Sequence, residues 1–258
     1  MPAYPLRAIV LRKTKLGETD VILDLLAGDG RIVRAVAKGL RKPGSKFGGR
    51  LEPYSDVELL LHTGRTFEVI AEARTADPHA ALREDYDRQA AAAVVADVLD
   101  KIALEGESDP RLFGLADATL RVLEDCDIDR LPAVVVAFLV KSMAMHGYRP
   151  ELDSCISCAG EPAGTALFSL SGGGVVCESC GADLGVLDRF DPAARSWLNM
   201  LLGSTMAEVA RADIPAQAVR DCFALMRSFV SYHLPARLKA LDFYAGVLAS
   251  PPHDAVGS

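Results

Sequence analysis

The spacing of apolar residues changes at Asp77-Pro78, and this change divides the chain into two kinds of structure. Before it, apolar and polar residues alternate, as in segments 21–25, 57–61 and 67–71. After it, apolar residues recur every three or four positions, as between Ala91 and Ile102. A period of two is typical of strands with one buried face, and a period near 3.6 is typical of amphipathic helices. The sequence therefore predicts an N-terminal β domain followed by helices.

Five short strands are predicted in the first part. Their ranges are 6–12, 20–26, 31–38, 54–62 and 66–73. Gly28-Asp29-Gly30 and Gly64-Arg65 separate neighbouring strands, and glycine favours tight hairpins because it tolerates positive φ. Five short antiparallel strands indicate a small barrel or sandwich, and an OB-type barrel is among the candidates.

Several helix signals follow. Asp109-Pro110 and Asp191-Pro192 each have the pattern of an N-cap residue followed by proline in the first turn. Segment 131–146 is apolar on nearly every side, which predicts a helix in a bundle core. Pro235 interrupts the last helical pattern and predicts helices at about 216–233 and 236–248. The tail 250–258 is predicted to be disordered.

Two CxxC pairs are the most specific local signal. Cys155 and Cys158 are separated by 18 residues from Cys177 and Cys180. This spacing predicts a tetrahedral site of four thiolates, with a hairpin that returns the second pair to the first. Four sulfurs favour a structural Zn²⁺ ion, although rubredoxin-like iron and two redox pairs remain alternatives. Cys126 and Cys222 lie in helical patterns and are expected to be small buried residues.

Motifs for common enzyme chemistry are missing from the sequence. It contains no HExxH, GxxxxGK[ST] or GxSxG pattern, and the five histidines are interpreted as surface or packing residues. We therefore expect no enzyme. The longest apolar stretch, 131–140, stops at Lys141, and the N-terminus lacks the pattern of a secretory signal. These features predict a cytosolic protein without a membrane span.

Charge is unevenly distributed along this acidic chain. The net charge is −7 and the pI is about 5.3. Residues 1–80 nevertheless carry +3, so the remainder carries −10. Segment 31–50 has seven cations and no acid, and it continues into a glycine-rich loop that can follow a phosphate backbone. The alternative is a solvated face with an exposed loop. Phe47 is expected to anchor the loop to the barrel rather than to stack on a base.

A series of short motifs runs along the chain in a definite order. They are the turn at 17–18, the strand end at 38–39, the loop 45–49, the segment 51–53, His146-Gly147-Tyr148-Arg149-Pro150, the two CxxC pairs and the intervening stretch 168–176. This order resembles the RecO family of bacterial recombination mediators, over most of the chain. Because the cysteine pairs occur in only part of that family, the chain resembles a zinc-containing member.

The resemblance implies an α+β multidomain architecture. Residues 1–78 are predicted to form a five-stranded OB-fold β-barrel that binds DNA. Residues 79–249 are predicted to form an all-α helical domain with a four-cysteine zinc-knuckle insertion at about 150–183.

The resemblance also implies a function without covalent chemistry. A family member binds single- and double-stranded DNA, anneals complementary strands and helps load the RecA recombinase onto strands covered by single-strand-binding protein. Expected partners are RecR, RecF where present, the C-terminal tail of single-strand-binding protein and, indirectly, RecA, in the cytoplasm and near the nucleoid. The DNA-binding role falls on the basic run and two flanking residues, namely Arg31, Arg34, Lys38, Arg41, Lys42, Lys46, Arg50, Arg12 and Lys13.

Two other functions are compatible with parts of the pattern. An OB or zinc-ribbon RNA-binding protein of the translation apparatus would also use a basic loop, but the acidic helical half fits it poorly. A thiol redox protein would use the CxxC pairs as reversible dithiols instead of metal ligands.

Overall fold

Two units make up the chain in the computed structural model, Met1–Asp125 and Cys126–Ser258. The structure describes residues 3–105, 108–162, 164, 166–181 and 188–249. The tail 250–258, predicted to be disordered, lies outside the described residues, as do parts of the predicted insertion. Among the described helices, none is long and apolar enough to cross a membrane.

Five strands close into a barrel in the first unit. They are β1 (Ala3–Leu16), β2 (Asp20–Ala27), β3 (Ile32–Ala37), β4 (Asp56–His62) and β5 (Glu68–Asp77). Their order around the barrel is β1-β2-β3-β5-β4, and β4 pairs with β1 to close it. Neighbours are antiparallel except β3 and β5, which are parallel. The predicted five-stranded OB-fold barrel is confirmed, but the expectation that all its strands are antiparallel is wrong for the β3–β5 pair.

Strand β1 is longer than the predicted range 6–12. Its first part, from Ala3 to Ile9, pairs with β4, and the part from Ala8 to Leu16 pairs with β2. An irregularity between Val10 and Arg12 shifts the register where the strand changes its main partner. The ends of β1 are largely exposed, so hydrogen bonding to neighbours defines them and apolar alternation does not.

The barrel interior is filled by alternate residues of every strand. Fully or almost fully buried examples are Val10, Leu23, Leu25, Leu59, Leu61 and Ile70. Each such side chain contributes about 1.5–3 kcal/mol when it leaves water. The connection between β3 and β4 adds Phe47 and Leu51 to the same core.

Three helices complete the first unit. They are α1 (Ala81–Glu84), α2 (Tyr86–Glu105) and α3 (Pro110–Asp125), and α2 packs against β1, β2 and β3. The start of α3 agrees with the predicted Asp109-Pro110 signal. Arg7 on β1 forms an ion pair with buried Asp56 on β4 (2.6 Å) and also lies over the ring of Phe113 on α3. These helices therefore share a unit with the barrel, and the predicted domain boundary at 78 stays a prediction.

The second unit is mainly helical. Its longer helices are α4 (Leu131–Met145), α6 (Pro192–Gly203), α8 (Ala216–His233) and α9 (Lys239–Ala249); α5 (Glu178–Gly181) and α7 (Met206–Val209) are single turns. A small sheet has the order β7-β6-β8, with β6 (Ala166–Ser169), β7 (Gly174–Val176) and β8 (Asp188–Phe190). Helix α4 is buried on nearly all sides against α6, α7 and α8, as its apolar sequence predicts.

The helix boundaries of this unit follow the sequence signals with one exception. The Asp191 carboxylate accepts from the N–H groups of Ala193 and Ala194 and caps α6, as predicted. Helix α8 has the predicted bounds, but α9 starts at Lys239 and not at 236. The reason is a turn after Pro235, in which the Ala236 N–H donates to the Leu234 carbonyl and delays the next helix.

Candidate metal centre and nucleic-acid interface

The four cysteines of the CxxC pairs converge at one point of the second unit. Their sulfur atoms all lie within 4.8 Å of one another, and the Sγ atoms of Cys158 and Cys177 are 3.8 Å apart. A tetrahedron with metal–sulfur bonds of about 2.3 Å has edges of about 3.8 Å. The donor set therefore fits a single tetrahedral metal ion.

The backbone between the two pairs forms the predicted hairpin. Strands β6 and β7 are antiparallel, with Leu167 opposite Val176 and Ser169 opposite Gly174. This pairing brings Cys177 beside the first cysteine pair. The N–H of Ile156 donates to the carbonyl of Val175, which ties the first turn to the hairpin. A Cβ atom at Gly174 would lie 2.6 Å from Cγ2 of Ile156, so this close approach requires glycine.

The local electrostatics separate the four thiols. The backbone N–H groups of Cys177 and Cys158 lower the pKa of Cys155 to about 6, and the Ser179 hydroxyl contributes most to the lowered pKa of Cys177. Hydrogen bonding to the sulfurs of Cys177 and Cys158 raises the pKa of Cys180 to about 12. The thiolate form is thus favoured at part of the site. A bound divalent cation would stabilise the thiolate form of the other cysteines as well, so these would lose their protons on binding.

All four positions of such a site are taken by protein sulfur. A closed four-cysteine centre would have no open position for a substrate or an activated water, which is typical of structural metal sites. When bound, the ion would supply cross-links among the two turns and the hairpin. Cys155 is buried, whereas Cys158 is exposed.

The remaining two cysteines differ from each other. Cys222 is fully buried on α8 and donates to the carbonyl of Ala194, and burial raises its pKa to about 12. The expectation of a small buried residue holds for Cys222. It is wrong for Cys126, which is only half-buried and lies just past the end of α3, because α3 ends at Asp125.

The seven cations of segment 31–50 are all exposed, but they occupy different parts of the barrel. Arg31 precedes β3 and forms an ion pair with Asp29 (2.9 Å), and Arg34 in the middle of β3 forms one with Asp24 (3.1 Å). Lys38 follows β3 and lies roughly 20 Å from Arg31 along the strand. The cations that form one run in the sequence are therefore distributed along β3 and beyond both of its ends.

The connection from Lys38 to Arg50 carries the cations with the least compensation, and we call it the basic loop. Arg41 donates to the carbonyl of Glu18 (3.0 Å), Lys46 to that of Ala71 (2.7 Å) and Arg50 to that of Lys46 (2.9 Å). Carbonyl groups orient these side chains without cancelling their charge. Lys38 and Lys42 form no ion pair within 4.0 Å with any described residue, although the Asp20 carboxylate interacts electrostatically with both. The loop itself carries five positive charges and no acid.

An apolar anchor fixes the basic loop to the barrel. Phe47 is 2% exposed and packs in the barrel core, next to a short 3-10 turn, Gly48–Leu51. The prediction that Phe47 pins the loop is confirmed. Asp20 also holds the loop, because its carboxylate accepts from the N–H of Gly39, and this hydrogen bond is the main cause of its lowered pKa.

The two predicted flanking residues are already engaged. Arg12 lies between two acids of α2, 2.9 Å from Asp100 and 3.6 Å from Asp97. Lys13 forms an ion pair with Glu52 at 2.8 Å. Both charges are largely compensated within the first unit.

Lys15 is an exposed cation near the basic loop that sequence reasoning did not select. Lys15 pairs with Val21, which in turn pairs with Ala37, so Lys15 lies about 10 Å from the start of the basic loop across two strands. Strand register identifies Lys15 as a neighbour of the loop. A search for basic runs along the sequence cannot find it, because such a search does not consider which strands pair.

Fold and site together define a class: proteins in which an OB-type barrel presents a basic loop and a mainly helical unit carries four cysteines placed closely enough to bind a metal ion. The family model described as Recombination protein O N terminal matches residues 1–79, and that described as Recombination protein O C terminal matches residues 83–242. The chain therefore belongs to the Recombination protein O family, which confirms the resemblance found in the motifs.

Relatives with this assignment match along nearly the whole chain. A protein named DNA repair protein RecO from Frankia casuarinae is 37% identical over 247 residues, covering 94% of this chain and 98% of the relative. The protein of the same name from Cutibacterium acnes is 35% identical, covering 93% and 98%. That from Rubrobacter xylanophilus is 34% identical, covering 100% and 99%.

Proposed function

We propose that this chain is a recombination mediator in DNA repair. It binds single- and double-stranded DNA, anneals complementary strands and helps load RecA onto strands covered by single-strand-binding protein. Family membership and the name shared by its relatives support this assignment, and they favour DNA over the RNA of the translation apparatus. The action requires no covalent step, in keeping with a metal site that is closed to substrate.

The observation that carries the proposal is the basic loop itself, which has five exposed cations, no acid of its own and Asp20 as a nearby carboxylate. Lys38, Lys42 and their neighbours Arg41, Lys46 and Arg50 project from an anchored loop on an OB-type barrel. Barrels of this kind bind single strands along a positively charged groove. We assign the principal phosphate contacts to these five cations, with Arg34, Arg31, Arg12 and Lys13 as secondary contacts because each has an acidic partner.

Five phosphate contacts define a measurable salt dependence. Each cation that neutralises a phosphate of a single strand releases counterions, so the slope of log K against log salt is about −3.5 for five contacts. Because these contacts are to the backbone, affinity depends little on base sequence. A surface of this kind holds strands without fixing their register, which annealing requires.

Annealing also requires that two phosphate chains approach each other. A cluster of exposed cations lowers the repulsion between two strands, since each strand meets positive charge instead of the other strand. The rest of the chain, with a charge of −10, repels DNA and favours binding at the barrel.

The metal is proposed to be a structural Zn²⁺ bound by Cys155, Cys158, Cys177 and Cys180. The proposed partners are RecR, RecF where present, the C-terminal tail of single-strand-binding protein and, indirectly, RecA. These partners place the protein in the cytoplasm, in association with the nucleoid.

Charge reversal in the basic loop tests the proposal. Lys38→Glu combined with Lys42→Glu is expected to weaken binding to single-stranded DNA by roughly 10-fold or more at 0.1 M salt, and to reduce the salt slope to about −2. Neither side chain makes an ion pair with a described residue, so the fold should survive. Fluorescence anisotropy at several salt concentrations gives both quantities, and a strand-annealing assay tests the function.

The matched control changes net charge equally at other exposed sites. Arg211→Glu lies after α7 and Arg220→Glu lies on α8, both outside the barrel, and this pair should leave binding nearly unchanged. Equal losses in the two double variants would show that net charge, and not the basic loop, governs binding. Unchanged binding by the Lys38/Lys42 variant at low salt would reject the proposed DNA site.

A further inference from the structure

Part of the second unit presents aromatic rings to solvent, in the motif His146-Gly147-Tyr148-Arg149-Pro150 and at the end of α8. Tyr148 is 38% exposed and Tyr232 is 56% exposed. We call the group formed by His146, Tyr148, Arg149, Tyr232 and His233 the aromatic patch. Neither the metal site nor the basic loop accounts for it.

Backbone geometry fixes Tyr148 at the end of α4. Gly147 adopts a φ of +92°, and the N–H of Tyr148 donates back to the carbonyl of Met143 (2.9 Å). This hydrogen bond is typical of a helix that ends at a left-handed glycine. The backbone that carries Tyr148 is therefore fixed at the end of the helix.

The ring of Tyr148 packs against a group of aromatic rings centred on His233. Its ring lies 4.3 Å from that of His233 at an interplanar angle of 31°, and buried Phe229 meets His233 edge-on at 4.5 Å. The ring of Tyr232 lies 5.1 Å from His233, so both exposed tyrosines adjoin one supporting ring.

The supporting histidine behaves as a neutral ring. Nε2 of His233 donates to the carbonyl of Leu170 at 2.9 Å, and burial lowers the pKa of His233. A neutral ring supports aromatic stacking without adding a charge that must be solvated.

Three exposed cations belong to the patch or follow it closely in sequence, although the chain as a whole is acidic. Arg149, Arg237 and Lys239 are exposed and form no ion pair with a described residue. Glu151 interacts electrostatically with Arg149, and its carboxylate also accepts from the N–H groups of Ser154 and Asp153. Asp242 pairs with Arg227 at 2.8 Å.

We infer that the aromatic patch stacks unpaired bases of single-stranded DNA while its cations meet the adjacent phosphates. This inference rests on the proposed function. Exposed rings beside a guanidinium group match the two surfaces of a nucleotide, the flat base and the anionic phosphate. Two tyrosines that adjoin one ring can receive neighbouring bases of one strand, whereas bases stacked inside a duplex cannot reach them.

The test compares two probes with equal phosphate number, oligothymidylate and an abasic strand of the same length. Full-length wild type should bind oligothymidylate more tightly than the abasic strand. Tyr148→Ala with Tyr232→Ala should lose roughly 10-fold for oligothymidylate, with no loss for the abasic strand or for duplex DNA. The salt slope should not change, because no phosphate contact is removed.

Matched variants separate ring stacking from other effects. Tyr148→Phe with Tyr232→Phe keeps both rings and should bind as wild type does. Tyr86→Ala removes an equally exposed tyrosine from the first unit and should have no effect on the preference. If Tyr148→Ala lowers thermal stability, Tyr232→Ala alone should still reduce the preference for bases.

The outcomes distinguish this inference from the proposed function. If wild type binds neither probe, the proposed function fails. If wild type binds DNA but the tyrosine variants retain its full preference for oligothymidylate, the patch does not bind bases and the inference is overturned; a patch that serves a peptide partner would give that result.

Discussion

At the scale of single residues, environment decides what each sulfur atom can do. Cys155 receives backbone N–H groups that favour its thiolate, and its pKa is lowered to about 6. Cys222 is buried on α8 and donates to the carbonyl of Ala194, and burial is the main cause that raises its pKa to about 12. The first is suited to a metal ligand and the second to packing.

Replacement of one ligand should release the metal. Cys155→Ser removes a thiolate from the closed set, so we expect a metal content well below one ion per chain and a Tm lower by about 5 °C or more. Elemental analysis and a thermal scan measure both, and the same analysis distinguishes zinc from iron.

Cys222→Ala is the control for this experiment, because it removes a cysteine but leaves the metal content unchanged. Full metal content in Cys155→Ser would contradict the four-cysteine site. A reversible dithiol titration in metal-free wild type would instead support redox chemistry.

The raised pKa of the Cys222 thiol predicts that this residue makes the protein less stable at alkaline pH. Its pKa is near 8.5 in the unfolded chain and about 12 in the folded one. Its stabilising contribution is therefore complete below pH 8.5 and is lost as pH rises toward 12, since only the unfolded state readily releases the proton. The expected loss approaches 1.4 kcal/mol per pH unit above pH 9.

Urea unfolding at several values between pH 8 and pH 10.5 measures this effect. Stability should fall less steeply with pH in Cys222→Ala than in wild type, whatever the absolute stabilities of the two proteins. Parallel curves would show that Cys222 ionises equally easily in both states.

At the scale of elements, the basic loop is a long connection held by a few internal contacts. Phe47 and Leu51 enter the barrel core, and the N–H of Gly39 is fixed by Asp20. The loop can therefore present its cations in a defined arrangement although much of its sequence is glycine-rich. Anchoring lowers the conformational entropy that would otherwise be lost on binding.

Truncation of the anchor should affect both stability and DNA binding. Phe47→Ala is expected to lower the free energy of unfolding by about 3 kcal/mol, because it leaves a cavity in the barrel core. It should also weaken DNA binding without any change in charge. Urea unfolding and binding anisotropy measure the two effects.

Phe243→Ala provides the comparison, because this side chain is 52% exposed on α9. It should change stability by less than about 1 kcal/mol. Equal effects of the two substitutions would mean that Phe47 does not anchor the loop.

The elements that could be predicted are those with local signals. The Asp191 cap, the hairpin between the cysteine pairs and the apolar helix α4 each depend on residues close in sequence. The full extent of β1 and the start of α9 depend on hydrogen bonds that no apolar pattern encodes.

At the scale of the whole molecule, the count of charges along the sequence indicates the basic region. It does not show which of the cations have acidic partners in the folded protein. Arg12 is compensated by Asp97 and Asp100, which lie more than 80 positions away in the sequence. Arg31 and Lys38 belong to one basic run, yet a strand separates them. Only tertiary structure reveals such partners, so the cluster of four cysteines was easier to predict than which cations lack an acidic partner.

The closure of the barrel by β1 limits how other macromolecules can use it. A sheet with an open edge can recruit a peptide by strand addition, and it can also aggregate in the same way. In this barrel the pairing of β1 with both β2 and β4, together with that of β5 with β3 and β4, leaves no edge strand among the five. A binding partner must therefore contact the outer side chains and the loops of the barrel. Binding and dissociation of a polymer then require no change in the pairing of the strands.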